Sequence, residues 1–183
     1  RRLYRRAQDA GITQVQERLA DAGSELVRAP QQFMSTLPGP PPPGARPRVH
    51  VDFGGGLYEW QRLLLAEALR RLEAADLPCE ITAARRYQET AQPLDAATRA
   101  DIAATIGADV VVTLGDGADM DAGTSALQGV ARGYDRRVIL YYSGAVRWVA
   151  SARDPEYRNL MLEQSADLLI RSLDELPTAV ERL

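Results

Sequence analysis

Beyond residue 47 the hydrophobic positions fall into two alternating rhythms. Short apolar or period-two runs read as strands, and longer stretches with apolar residues every three or four positions read as helices. "RVHVDF" (48–53) predicts a first strand, closed by Gly54, Gly55 and Gly56. "YEWQRLLLAEALRRLEAADL" predicts a helix with Leu65, Leu69 and Leu72 on one stripe. "CEITAAR" predicts a second strand, followed by the polar stretch "RYQETAQPLD". "DAATRADIAATIGA" predicts a helix that stops near Gly107. "DVVVTL" is apolar almost throughout, as in a strand covered on both faces. "GTSALQGVARGY" predicts a short helix and "RRVILYY" another buried strand. "DPEYRNLMLEQSADLLIRSL" predicts one or two helices, with a short strand around residues 168–170.

Strands that alternate with helices imply a parallel sheet with right-handed crossovers. The expected fold is therefore α/β and flavodoxin-like, or Rossmann-like: about five parallel strands flanked by helices, over residues 48–183. In front of it, residues 1–35 predict a helical arm, with Ile12, Val15, Leu19, Ala22 and Leu26 on one stripe. Thr13 with Gln16 suits a capping box. Residues 36–47 form a Pro-rich linker, a semi-rigid spacer. Such an arm does not bury its stripe alone, so it is expected to pack on the main domain or on another chain. Arg1, Arg2, Arg5 and Arg6 at its start read as a solvated helix end, or as a contact for an acidic partner.

Composition narrows the function classes. Charged residues make up 26% of the chain and the net charge is −3, which gives no case for binding nucleic acid or a membrane surface. No apolar run approaches the ~20 residues of a membrane span. The basic start is not followed by an apolar signal segment, so the expected compartment is the cytoplasm. A chain beginning at Arg1 points to trimming or processing. The single Cys79 excludes an internal disulfide and reads as a packed thiol. The single His50, inside a strand, reads as packed and leaves no His-based zinc site or Ser-His triad. The loop "GDGADMDAG" is acidic but lacks the calcium-loop spacing and its terminal glutamate. Neither a metal nor a cofactor is expected. Trp60 and Trp148 read first as core residues, with the lining of a base pocket as the alternative.

In doubly wound sheets ligands sit beyond the carboxyl ends of the strands. That selects the loops after Phe53, Leu114 and Tyr142. Gly54, Gly55 and Gly56 let a ligand approach the backbone. The helix start around Gly123 and Thr124 offers unpaired N–H groups and a hydroxyl. Asp52 lies at the end of the first strand, at this same edge. Asp109 opens the buried strand and is expected to pair locally.

Four segments in this order resemble the nucleoside 2-deoxyribosyltransferase family and its related nucleotide N-glycosidases. They are "VDFGGGLY", "ADIAATIGADVVV", "DAGTSALQGVARGYDRRVIL" and "YRNLM", spread over residues 48–176. The resemblance implies glycosidic bond exchange or hydrolysis, in which a glutamate attacks the anomeric carbon. It implies a ribose-side role for Asp121 and a base-side or proton-handling role for Asp101. It places Phe53 and the following glycines, with Gly123 and Thr124, at the ligand. It also implies that Asn159 and Met161 reach into a neighbouring subunit's site, hence a homodimer or larger assembly.

Two departures change the picture. Counted from Asp121, the nucleophile falls at Leu127, and neither Ala126 nor Gln128 supplies a carboxylate. Asp52 stands where several members carry a tyrosine. The chain therefore reads as a catalytically impaired member of this fold, binding a nucleoside or nucleotide, or serving regulation or assembly, with a protein partner for the arm. Two alternatives stay open: an active enzyme with Asp52 or Asp121 as a rewired carboxylate, and a structural partner of an active paralogue.

Overall fold

The computed structural model describes residues 45–53, 59–84, 94–116, 122–144 and 160–183. The helical arm and nearly all of the linker lie outside the described residues, as do Gly54, Gly55, Gly56, Asp121, Trp148 and Asn159. In chain order the elements are β1 (Arg48–Asp52), α1 (Glu59–Ala74), β2 (Glu80–Ala83), α2 (Leu94–Gly107), β3 (Val110–Leu114), α3 (Ala122–Gly133), β4 (Arg137–Tyr141), α4 (Leu160–Ser165), β5 (Leu168–Ile170), a 3-10 turn (Leu173–Glu175) and α5 (Leu176–Glu181).

The five strands lie in the order β2-β1-β3-β4-β5 and every neighbouring pair is parallel. The chain steps outward from β1 to β2, then crosses back past β1 to β3 and continues the other way. This is the flavodoxin-like doubly wound order, with its switch point between β1 and β3. The valines of β3 and the Val-Ile-Leu run of β4 are fully covered, as central parallel strands require.

Residues in register across parallel strands share a face, so the sheet can be read as two surfaces. One presents Val49, Val51, Val112 and Ile139 to α1, the 3-10 turn and α5. There α1 buries Leu65, Ala68 and Leu72, while Leu69 is only partly covered. The expected stripe is thus shifted by one position. Ala68, fully buried, lets the helix backbone come close to the sheet. The other face presents His50 and Asp52 from β1, Val111 and Thr113 from β3, and Val138 and Leu140 from β4. It is covered by α2 and α3, with a small apolar cluster of Ala108, Val111, Ala131 and Val138.

The turns after α1 and α3 each place an aspartate in the left-handed region, Asp76 (φ 50°) and Asp135 (φ 56°). Aspartate tolerates that region better than most residues. At the amino edge, Asp109 Oδ2 accepts the Arg48 N–H at 2.8 Å, the local pairing expected of it. Asp167 Oδ2 accepts the Val138 N–H at 2.8 Å and Arg132 Nη1 at 2.9 Å. Each carboxylate therefore ties strand starts together at the edge away from the switch point.

Candidate functional site

At the opposite, carboxyl edge, the loops leaving β1 and β3 lead to different sides of the sheet. In doubly wound folds this switch point is where a ligand crevice forms. Asp52 closes β1 there and is only 3% exposed. Its register partner on β3 is Thr113, fully buried, and the two side chains share the face under α2 and α3. A carboxylate held this far from water is expensive to keep charged, so its placement here calls for a polar surrounding.

That surrounding extends inward. His50 lies two residues before Asp52 on the same face and is fully buried. Its Nδ1 is 3.0 Å from Thr82 Oγ1, whose own hydroxyl donates to the Val49 carbonyl at 3.4 Å. The tautomer that lets Thr82 keep that donation carries its hydrogen on Nδ1 and leaves Nε2 as an acceptor. Burial pushes the imidazole pKa down to about 4, so the ring is neutral at pH 7. The inward stripe of α3 is Thr124, Gln128 and Ala131, which adds two polar side chains to the same layer. Thr105 on α2 adds another. Every buried polar or charged side chain among the described residues belongs to this layer.

Several of its atoms have no hydrogen-bond partner: His50 Nε2, Thr105 Oγ1, Thr113 Oγ1 and Gln128 Oε1. An unmet buried polar group costs about 1–3 kcal/mol. Gln128 is otherwise well used. Its Nε2 donates to the Leu162 carbonyl and to Ser165 Oγ, each at 2.7 Å, and so fastens α4 to α3. Beside those contacts Met161 is 80% exposed.

The sequence-derived candidates divide accordingly. Asp52 and Phe53 lie at the end of β1 and Gly123 and Thr124 at the start of α3, with Phe53 and Thr124 buried and Gly123 exposed. Asp101 is half-buried in the middle of α2, about 10 Å along the helix from its first residue. Met161 faces outward from α4. Gly54, Gly55, Gly56, Asp121 and Asn159 fall outside the described residues. Asp116, at the start of the acidic loop, is engaged: its Oδ1 accepts the Ser143 N–H at 2.7 Å and joins the loops after β3 and β4. The neighbouring Tyr141 hydroxyl has its pKa raised, by burial first and then by the Asp116 charge. Trp60 is not a core residue. It is 43% exposed and meets Phe53 edge-on, with ring centroids 6.0 Å apart, in the first turn of α1. Sequence reasoning missed Thr113 and the inward side of Gln128. The available signal was a polar residue interrupting an apolar strand, and another on the buried stripe of a short helix.

Among the described residues no group of three or more His, Cys, Asp or Glu is arranged to hold a metal ion. No helix among them is long and apolar enough to cross a membrane. A groove of about 270 Å³ between α1 and the 3-10 turn is lined by Arg70 and Arg71, but it lies away from the crevice. Its arginines are already paired with Glu67, and Arg71 also with Asp174.

The fold class so defined, a five-stranded flavodoxin-like α/β domain, is shared with solved structures. One is a conserved protein from Enterococcus faecalis, at TM-score 0.62 and 17% identity, covering 75% of this chain and 99% of that one. Another is the 2-deoxyribosyltransferase of the psychrotolerant bacterium Bacillus psychrosaccharolyticus, at TM-score 0.56 and 17% identity, covering 71% and 90%. A CMP N-glycosidase of Clostridium botulinum superposes less well, at TM-score 0.48 and 16% identity, covering 74% and 99%. At these identities the likeness is one of fold. No family model and no curated protein matches the chain.

Proposed function

We propose that this domain binds a nucleoside or nucleotide at the crevice between β1 and β3 without cleaving it, and acts as a regulatory or assembly module. One observation carries the reading. The switch point of a fold shared with a 2-deoxyribosyltransferase holds a buried carboxylate, Asp52, backed by a layer of polar side chains. Carboxylate, hydroxyl and imidazole acceptors suit a hydroxyl- and amine-bearing ligand. The reading of impairment rests on the sequence. By the motif spacing the nucleophile position is Leu127, half-buried on α3, and a leucine neither attacks a sugar nor stabilises an oxocarbenium ion. The assembly side rests on Met161, whose exposed apolar side chain suits contact with a second copy.

A second reading is favoured by Asp52 itself. A buried carboxylate at the crevice is a candidate nucleophile for an N-glycosidase with displaced machinery. One experiment separates the two. Nucleosides and nucleoside monophosphates are titrated calorimetrically, and the same mixtures are assayed for free base by chromatography. Saturable binding with no base released is the expected result. Turnover that disappears in Asp52→Ala establishes the second reading, and no binding by any compound refutes the first.

A further inference from the structure

The strand β3 reads Val110, Val111, Val112, Thr113, Leu114. Val111, two residues earlier on the same face, shows what this environment accepts without cost, and threonine has nearly the shape of valine. Yet the one hydroxyl in the strand falls at the one position in register with Asp52. It is fully buried, and its Oγ1 has no hydrogen-bond partner. Diagonally below it on the same face is a second such atom, the His50 Nε2 acceptor. Two buried, unmet polar atoms thus flank the carboxylate at the switch point. The group that satisfies such a site donates a hydrogen to a carboxylate or imidazole and exchanges one with a hydroxyl. A hydroxyl group does both.

We propose that Thr113, with Asp52 beside it, forms a hydroxyl-recognising subsite and makes Thr113 a specificity-determining residue for a ligand's sugar. This rests on the nucleoside-binding reading above. The same chemistry is available from a sugar hydroxyl or from a trapped water, and the test separates these sources.

The probes are adenosine and cytidine with their 2′-deoxy and 3′-deoxy forms, titrated into the wild type, Thr113→Val and Thr113→Ser. The wild type binds a ribonucleoside about tenfold tighter than one of its two deoxy forms, the worth of one buried hydrogen bond. Thr113→Val abolishes that preference while its affinity for the deoxy form stays within about twofold. Thr113→Ser, which keeps the hydroxyl, retains the preference. Thr113→Val that gains thermal stability but leaves every affinity and the preference unchanged assigns the site to water and overturns the proposal. So does a wild type that binds all forms equally, in which case the nucleoside reading itself survives. A wild type that binds none of the six compounds overturns both.

Discussion

The two faces of the sheet are built from different materials. Under α1 and α5 the strands and helices meet through Val49, Val51, Val112, Ile139, Leu65, Leu72 and Leu176, an apolar layer with no buried polar side chain among the described residues. Under α2 and α3 the same strands present His50, Asp52 and Thr113, and the helices answer with Thr105, Thr124 and Gln128. The first layer gains from every methylene it removes from water, at roughly 25 cal/mol per Å² of apolar surface. The second gives up part of that gain and leaves several polar atoms unmet. This layer runs to the switch point between β1 and β3, where the proposed ligand would sit. On the proposed reading, the division places stability on one face and recognition on the other.

Substitutions on the two faces should separate these roles. The largest effect is expected at Leu72, fully buried on α1. Leu72→Ala leaves a cavity in the apolar layer and should cost about 2–5 kcal/mol in urea unfolding. Ligand affinity, measured where the variant is still folded, should stay unchanged. A loss of affinity there would break the division.

The polar face should respond to acid. His50 is neutral in the folded chain, with its pKa lowered to about 4, whereas the unfolded imidazole titrates at its ordinary value of 6.5. Between those values the unfolded state binds more protons, so stability falls as the pH drops from about 6.5 and levels off below about 4. The span corresponds to about 3 kcal/mol. The measurement is urea unfolding of the wild type and His50→Leu across this window. The variant should lack the His50 share of the slope; identical slopes would show that burial does not hold the ring neutral.

A smaller and more local effect is expected at Gln128, whose amide holds α4 through Leu162 and Ser165. Gln128→Leu should cost about 1–2 kcal/mol. Amide exchange should quicken in α4 while α1 stays protected. Equal quickening in α1 would mean that the two faces unfold as one unit and would blur the comparison.

Much of the architecture was legible because it depends on local periodicity. The unbroken run "DVVVTL" marks a central strand wherever it lies, and alternation of strand and helix forces parallel pairing. The short β5 was visible as "LLI" despite its three residues. The carboxyl edge was singled out by the general rule for such sheets, and Asp52 and Phe53 lie at it. Trp60 was misjudged because aromatic residues default to the core, while the inward face of α1 had already been set by Leu65, Ala68 and Leu72.

By itself, then, the sequence determined which segments are strands and helices, that the strands run parallel, and which loops gather at the carboxyl edge. These are consequences of hydrophobic spacing along a continuous chain. Tertiary structure alone decided that Thr113 stands beside Asp52, that His50 meets Thr82, and that Gln128 turns inward to α4. Those residues are separated by 61, 32 and 37 positions for the pairs concerned. No local pattern carries a register between distant strands. It is set when both faces of the sheet are covered at once, because a slip of one residue would exchange the apolar layer for the polar one.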